Sequence, residues 1–240
     1  LAIREPVREK LRWLESETSR TFGTGPRPLL VSVRSGAALS MPGMLDTVLD
    51  LGIDDAVEAA LADLHTPEFA SDSRRRFREM YRRIVLRDER GEVPDDPYLQ
   101  LRGAIGAVFS SWNSPRAIAY RKHHGLSEIS GTAVVVQAMV FGNMDSKSGT
   151  GVLFSRNPMT GGAEPFGEWL PCGQGEDVVS GTFDVEPISA LHNEQPTVYD
   201  ELMTAAAKLE HLAKDIQDIE FTIEQGKLWL LQTRVAKRSA

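Results

Sequence analysis

Toward the end of the chain stand Asp218 and Glu220, then Glu224-Gln225-Gly226, then Gln232 and Arg234. Two carboxylates at i and i+2 on an extended strand leave the same side of it, and hard cations are held by such oxygens. An amide and a guanidinium on the neighbouring strand add donors, the arginine being able to grip a phosphate with two parallel hydrogen bonds. Mg-phosphate is the natural ligand of this set. Whether the four share a face depends on the turn. A three-residue loop closed by a bulge at Gly226 pairs Ile223 with Lys227, Phe221 with Trp229 and Ile219 with Leu231 on an apolar face. Asp218, Glu220, Gln232 and Arg234 then fall together on the other. A two-residue loop slips the register by one and sends Gln232 and Arg234 across, so the bulged register is expected. On spacing alone, an ordinary solvated face with a surface Asp–Arg pair is the competing reading.

Further candidates are scattered through the chain. Arg34 follows a short apolar run, Leu29 to Val33, and precedes Ser35-Gly36, a strand-end position from which a side chain can project into a cleft. Gln137 and Met139 alternate with Val136, Ala138 and Val140; core packing is the default there and an adenine-edge contact the sharper alternative. Glu176 and Asp177 follow a strand end, either as an exposed acidic turn or as further oxygen ligands near a cation. Gly149-Thr150-Gly151 suits either a hairpin turn or a close backbone approach to phosphate. Seven arginines between Arg74 and Arg87 make either an anion-binding face or a solvated helix face. The five histidines have no ligand spacing, and Cys172 reads as a small buried hydrophobe.

The elements that must carry these residues can be read from periodicity. Ile3, Val7, Leu11 and Leu14 recur at helical spacing up to about Thr18, and Gly23 to Pro28 ends that helix. Leu29 to Val33 is a buried strand. From about Asp54 to Tyr120 the pattern is helical, divided by Pro94 and Pro97, with a further helix start at Ser114-Pro115. After Gly131 the period becomes two: Thr132 to Phe141, Thr150 to Ser155 and Glu168 to Pro171 read as strands. A helix from about Val198 to Lys214 leads into the final strands, Ile219 to Ile223 and Leu228 to Thr233. The expected divisions are 1–53, a helical block 54–130, and 131–240.

Bulk properties narrow the function. A net charge of -7 argues against coating nucleic acid. A single cysteine rules out an internal disulfide and suits a reducing, cytoplasmic setting, and no apolar stretch approaches the roughly 20 residues that cross a bilayer.

Four strings in order, VSVRSGAALSMPGMLDTVLDLGI (31–53), AVVVQAMVFGNMDSKSGTGVLFSRNPMTG (133–161), GQGEDVVSG (173–181) and QDIEFTIEQGKLWLLQTR (217–234), strongly resemble the N-terminal domain of pyruvate phosphate dikinases. The resemblance covers nearly the whole chain. It implies an α+β, ATP-grasp-like fold, incomplete here, with a helical insert and mixed or antiparallel sheets, in which ATP lies between two subdomains. It implies Mg2+ held by Asp218 and Glu220, phosphates met by Arg34, Arg234 and Gln232, an adenine hinge at Gln137 and Met139, and Glu176 and Asp177 near the polyphosphate. Arg34 and Arg234 take the catalytic roles, since phosphoryl transfer is promoted by offsetting charge on the transferring group.

The activity implied is transfer of the β-phosphoryl group of ATP to a histidine on a separate domain, with inorganic phosphate taking the γ-phosphoryl. Departures are visible too. No Lys-Gly-Ala-Asn-type segment precedes Leu29, so the domain is expected to be truncated at its N-terminus. Arg87 to Pro97 is shorter than in the family, and Phe183 stands where an arginine is expected. Without a Thr-Ser-His motif or a pyruvate barrel, the acceptor must lie in trans or in a missing segment. The alternatives are a non-catalytic nucleotide-binding or regulatory module and an inactive remnant.

Overall fold

The computed structural model describes residues 5–36, 41, 43–126, 131–181 and 183–236; Ile3, named above, and positions 37–40 and 42 of the first quoted string lie outside them. The chain divides into two units, residues 1–139 and 140–240.

In the first unit, side-chain caps start the helices, and a break at Thr66-Pro67 divides the run expected to be continuous from Asp54 to Pro94. Asp54 accepts from the Val57 amide to open α2 (Asp55–Leu64), and Thr66 from Phe69 to open α3 (Pro67–Tyr81). Asp96 caps Tyr98 and Leu99 in α4 (Pro97–Ser111), and Ser114 caps Ala117 in α5 (Pro115–His123). Three of these helices begin with proline, whose missing N–H costs nothing in the first turn. α1 (Glu5–Thr18) buries only Leu11, as an amphipathic surface helix does. α3 passes into a π-helical turn, Arg82–Leu86, closed by Arg87 in the left-handed region. Arg82 Nε donates to the Gly91 carbonyl at 3.0 Å, which folds the connection to α4 back on the helix end. Of the seven arginines, Arg74, Arg75 and Arg76 pair with acids of α2 and α3.

After the short parallel pair β1 (Thr21–Phe22) and β2 (Pro28–Leu29), β3 (Val31–Gly36) is central in a three-stranded antiparallel sheet. Its neighbours are β4 (Val48–Leu51) and β5 (Ala133–Ala138). Val31 and Val33 are fully buried. Ser32 and Arg34 leave the other side, where Gln137 and Val135 stand opposite them. β4 was not anticipated: it is four residues long, and Asp50 within it takes a positive φ that interrupts the extended pattern. α3 packs on β4, and α4 on β3 and β4. The buried Gln100 amide ties α4 to the strand end, accepting from Gly52 N at 2.8 Å and donating to the Ile53 carbonyl at 3.1 Å. The helices therefore belong with the first sheet rather than forming a separate block. β5, expected in the C-terminal subdomain, is this sheet's third strand.

The second unit is a five-stranded antiparallel sheet in the order β10-β9-β6-β7-β8. The strands are β6 (Gly149–Phe154), β7 (Phe166–Pro171), β8 (Glu186–Pro187), β9 (Gln217–Glu224) and β10 (Lys227–Val235). α7 (Ile188–Glu194) and α8 (Pro196–Ala213) cover one face; Leu191, Val198, Leu202 and Ala206 pack there with Leu153, Trp169, Ile219, Phe221 and Ile223. Gly149 and Gly151 lie inside β6 beneath the large rings. A Cβ on Gly149 would come within 2.5 Å of the Trp169 ring, and one on Gly151 within 2.6 Å of Phe221. These glycines make room for aromatic neighbours, so the hairpin-turn reading of the triplet does not hold. α6 (Gly175–Ser180) opens on a reciprocal cap between Gln174 and Asp177. Cys172 is exposed, with its thiol 3.1 Å from the Asp145 carbonyl, and is not the buried hydrophobe expected.

Candidate metal and phosphate site

The final hairpin differs from the expected one at its turn and agrees with it at its polar end. Its loop has two residues, Gln225 and Gly226, both with positive φ, and Lys227 pairs with Glu224. Such a turn matches the right-handed twist of the flanking strands, which is why it displaces the three-residue loop. Trp229 consequently stands opposite Thr222, and Leu230 opposite Phe221. An extra residue, Leu231, then shifts the register between Leu230 and Gln232. That bulge restores the phase: Gln232 pairs with Glu220, and Arg234 with Asp218.

Directly paired residues share a face, so Asp218, Glu220, Gln232 and Arg234 share the face of the sheet opposite Ile219 and Phe221. Arg234 Nε donates to Asp218 Oδ2 at 2.7 Å, and its Nη2 lies 3.6 Å from Glu220 Oε1. The Asp218 side chain is 11% exposed, Arg234 28% and Glu220 33%, a site partly withdrawn from water. Asp218 Oδ1 is buried with no hydrogen-bond partner. A buried carboxylate oxygen without a donor is costly, and a cation or ordered water is what such an atom accommodates.

Farther along the same face, Thr150 and Thr222 are buried with their hydroxyls 3.2 Å apart. Thr222 is two residues from Glu220, about 7 Å along the strand. The start of α6 stands over Thr150, since a Cβ on Gly175 would lie 3.9 Å from its hydroxyl. Glu176 is half-buried in the first turn of α6, and Asp177 Oδ2 accepts from Gln174 N at 3.0 Å. Asp177 thus spends one oxygen on closing its helix. Lys227 Nζ lies 4.0 Å above the Trp229 ring, and both belong to the face that carries the acids. The expected register hid Trp229 in the core; the Gln-Gly turn is the signal that would have moved it out.

In the first unit, Arg34 and Gln137 are brought together, Arg34 Nη1 donating to Gln137 Oε1 at 3.3 Å. Met139 is buried just beyond β5, and its amide donates to the Leu30 carbonyl at 2.9 Å.

Among the described residues, no group of three or more His, Cys, Asp or Glu side chains is arranged to hold a metal. The pair Asp218 and Glu220 does fit Mg2+, which characteristically takes one or two carboxylates and completes its shell with water and phosphate. The bare Asp218 Oδ1 is the atom that argues for it.

The family model described as the pyruvate phosphate dikinase AMP/ATP-binding domain matches residues 2–199. The chain belongs to that family. It is 44% identical to a pyruvate, phosphate dikinase of Clostridium symbiosum over 99% of this chain and 32% of that protein. It is 42% identical to the chloroplastic pyruvate, phosphate dikinase 1 of Oryza sativa subsp. japonica over 98% of this chain and 29% of that protein. The chain therefore spans about a third of the length of these dikinases. The Clostridium alignment runs over 283 residues against a chain of 240, so the dikinase carries at least 43 residues inside the aligned stretch that this chain lacks. As a member of this family, the chain carries its AMP/ATP-binding domain. No helix among the described residues is long and apolar enough to cross a membrane.

Proposed function

We propose that the chain is the ATP-grasp-type donor domain of a dikinase-type phosphotransferase, binding Mg-ATP and passing the β-phosphoryl group to a histidine on a separate domain. Inorganic phosphate accepts the γ-phosphoryl group, and the balance is ATP + phosphate + His to AMP + pyrophosphate + phospho-His. The observation that carries this reading is the convergence of Asp218, Glu220 and Arg234 on one face, with Asp218 Oδ1 buried and unbonded.

Asp218 and Glu220 would hold Mg2+, which when bound supplies positive charge beside the phosphate oxygens. Arg234 and Gln232 meet the phosphates from β10. Arg34 supplies a second guanidinium, which Gln137 helps to orient, and Met139 contributes to the adenine hinge. Glu176 and Asp177 stand near the polyphosphate. Fixed positive groups of this kind lower the barrier because charge on the transferring group grows in the transition state and they need no reorganisation to meet it. The phosphohistidine acceptor lies on another polypeptide or another part of the gene product. With one cysteine in the chain, a cytoplasmic setting suits it.

Calorimetry and thermal melts with Mg-ATP test the binding half. A ligand at 100 times its Kd stabilises the folded state by about 2.7 kcal/mol, and the Glu220→Ala chain should show no Mg-dependent part of that gain. Unchanged Mg-ATP affinity in this variant refutes the metal assignment. For the transfer half, ATP labelled at the β-position should label the histidine of a separately expressed phosphohistidine domain. Binding without transfer favours a regulatory nucleotide-binding module instead.

A further inference from the structure

The pairing of Arg234 with the acids points to a role beyond phosphate contact. We infer that Arg234 is the resident counter-cation of the Asp218–Glu220 pair and competes with the metal for it. Metal entry then depends on a phosphate drawing the guanidinium away. This rests on the reading of Asp218 and Glu220 as metal ligands.

Three observations support it. First, the contact is direct and short: Nε of Arg234 donates to Asp218 Oδ2 at 2.7 Å, while Nη2 reaches to 3.6 Å from Glu220 Oε1. One guanidinium therefore spans both carboxylates that the metal would use. Second, the position is fixed by the backbone: the bulge at Leu231 sets Arg234 directly opposite Asp218, so the side chain begins beside the acids. Third, Oδ1 of Asp218 is buried without a hydrogen-bond partner. A divalent ion bound there alone would sit next to the guanidinium held by Oδ2, and like charges in a partly desolvated site repel strongly.

Phosphate changes this balance in two ways. It offers the guanidinium a bidentate acceptor at least as good as a carboxylate, and it brings negative charge that offsets the metal. Arg234 thus has two stations, the acid pair when no ligand is bound and the phosphates when nucleotide arrives. By linkage, nucleotide and metal then raise one another's affinity.

Mn2+ as a paramagnetic stand-in for Mg2+ allows metal binding to be read without nucleotide and without turnover. In the wild-type chain Mn2+ alone should bind weakly. In Arg234→Gln, with the competing charge removed, it should bind about tenfold more tightly or better, although the same variant binds ATP less well. Arg234→Lys, which keeps a charge but loses the Nε donor, should fall between the two. The factor by which ATP tightens metal binding should shrink in both. Equal or weaker Mn2+ binding than wild type, in whichever of these variants melts cooperatively, overturns the inference. The double variant Asp218→Asn with Arg234→Gln separates the two failures. If it still binds Mn2+ as tightly as Arg234→Gln, the metal assignment itself is wrong. If it loses Mn2+ while Arg234→Gln shows no tightening, the acids are ligands and only the competition is disproved.

Discussion

Ile219, Phe221 and Ile223 leave one side of β9 and are fully buried against α7 and α8, while Asp218 and Glu220 leave the other side and meet Arg234. The two sets alternate along the same eight-residue strand. Their forces differ in kind. The inner face gains from removing apolar area from water, at about 25 cal/mol per Å². The outer face assembles like-charged acids whose presence favours a ligand more than the fold, as expected where local strain serves function. The difference implies a division of labour: the inner face holds the backbone still, and the outer face uses that stillness to hold two carboxylates at a fixed separation.

Substitutions on the two sides should break or sharpen this contrast. Phe221→Ala should have the largest effect on folding, about 3–5 kcal/mol, because it empties the space over Gly151 as well as the core; a urea denaturation midpoint close to wild type would break the contrast outright. Next comes Gly151→Ala. Its Cβ would meet the Glu168 carbonyl at 2.5 Å and the Phe221 ring at 2.6 Å, so overpacking should cost about 1–3 kcal/mol, seen as a lower Tm. Asp218→Asn keeps an acceptor for Arg234 and should cost only about 1 kcal/mol of intrinsic stability. In calorimetry the Mg-dependent part of ATP binding should nevertheless vanish. Thr222→Val should do least, about 0.5–1 kcal/mol, since Thr150 retains its 3.0 Å hydrogen bond to the Phe221 carbonyl; its Mg-ATP affinity should match wild type. A Thr222→Val loss as large as that of Phe221→Ala would mean that the outer face also carries the fold.

Much of this architecture is legible before any coordinates. The helix starts near Asp54, Pro97 and Ser114-Pro115 are local chemistry and stand where the sequence marks them, whereas the break at Thr66-Pro67 inside the expected helical run was missed. The convergence of the four polar residues is legible too, because β-strand alternation is a strict rule. What resisted reading was the means of convergence. A three-residue loop and a two-residue loop followed by a bulge segregate the acids equally well, and nothing local to Leu231 marks it as surplus. β4 was missed because Asp50, in the left-handed region, disguises a strand that the packing of α3 enforces. The membership of β5 was missed because strand pairing is a long-range fact: the change of periodicity at 131 marks where strands begin, not which sheet they join. Gln137 belongs to the same class, its hydrogen bond to Arg34 spanning 103 positions of sequence.

The bulge at Leu231 has a practical meaning for anyone transplanting this ribbon into another scaffold. The turn-proximal and turn-distal halves of β10 follow opposite odd–even parity, so a graft that keeps every residue but irons the bulge into an unbroken ladder sets Leu231 opposite Glu220 and delivers Gln232 and Arg234 to the helix-covered layer. An inventory of retained side chains would pass such a graft, and only the cross-strand partner of Gln232 would reject it.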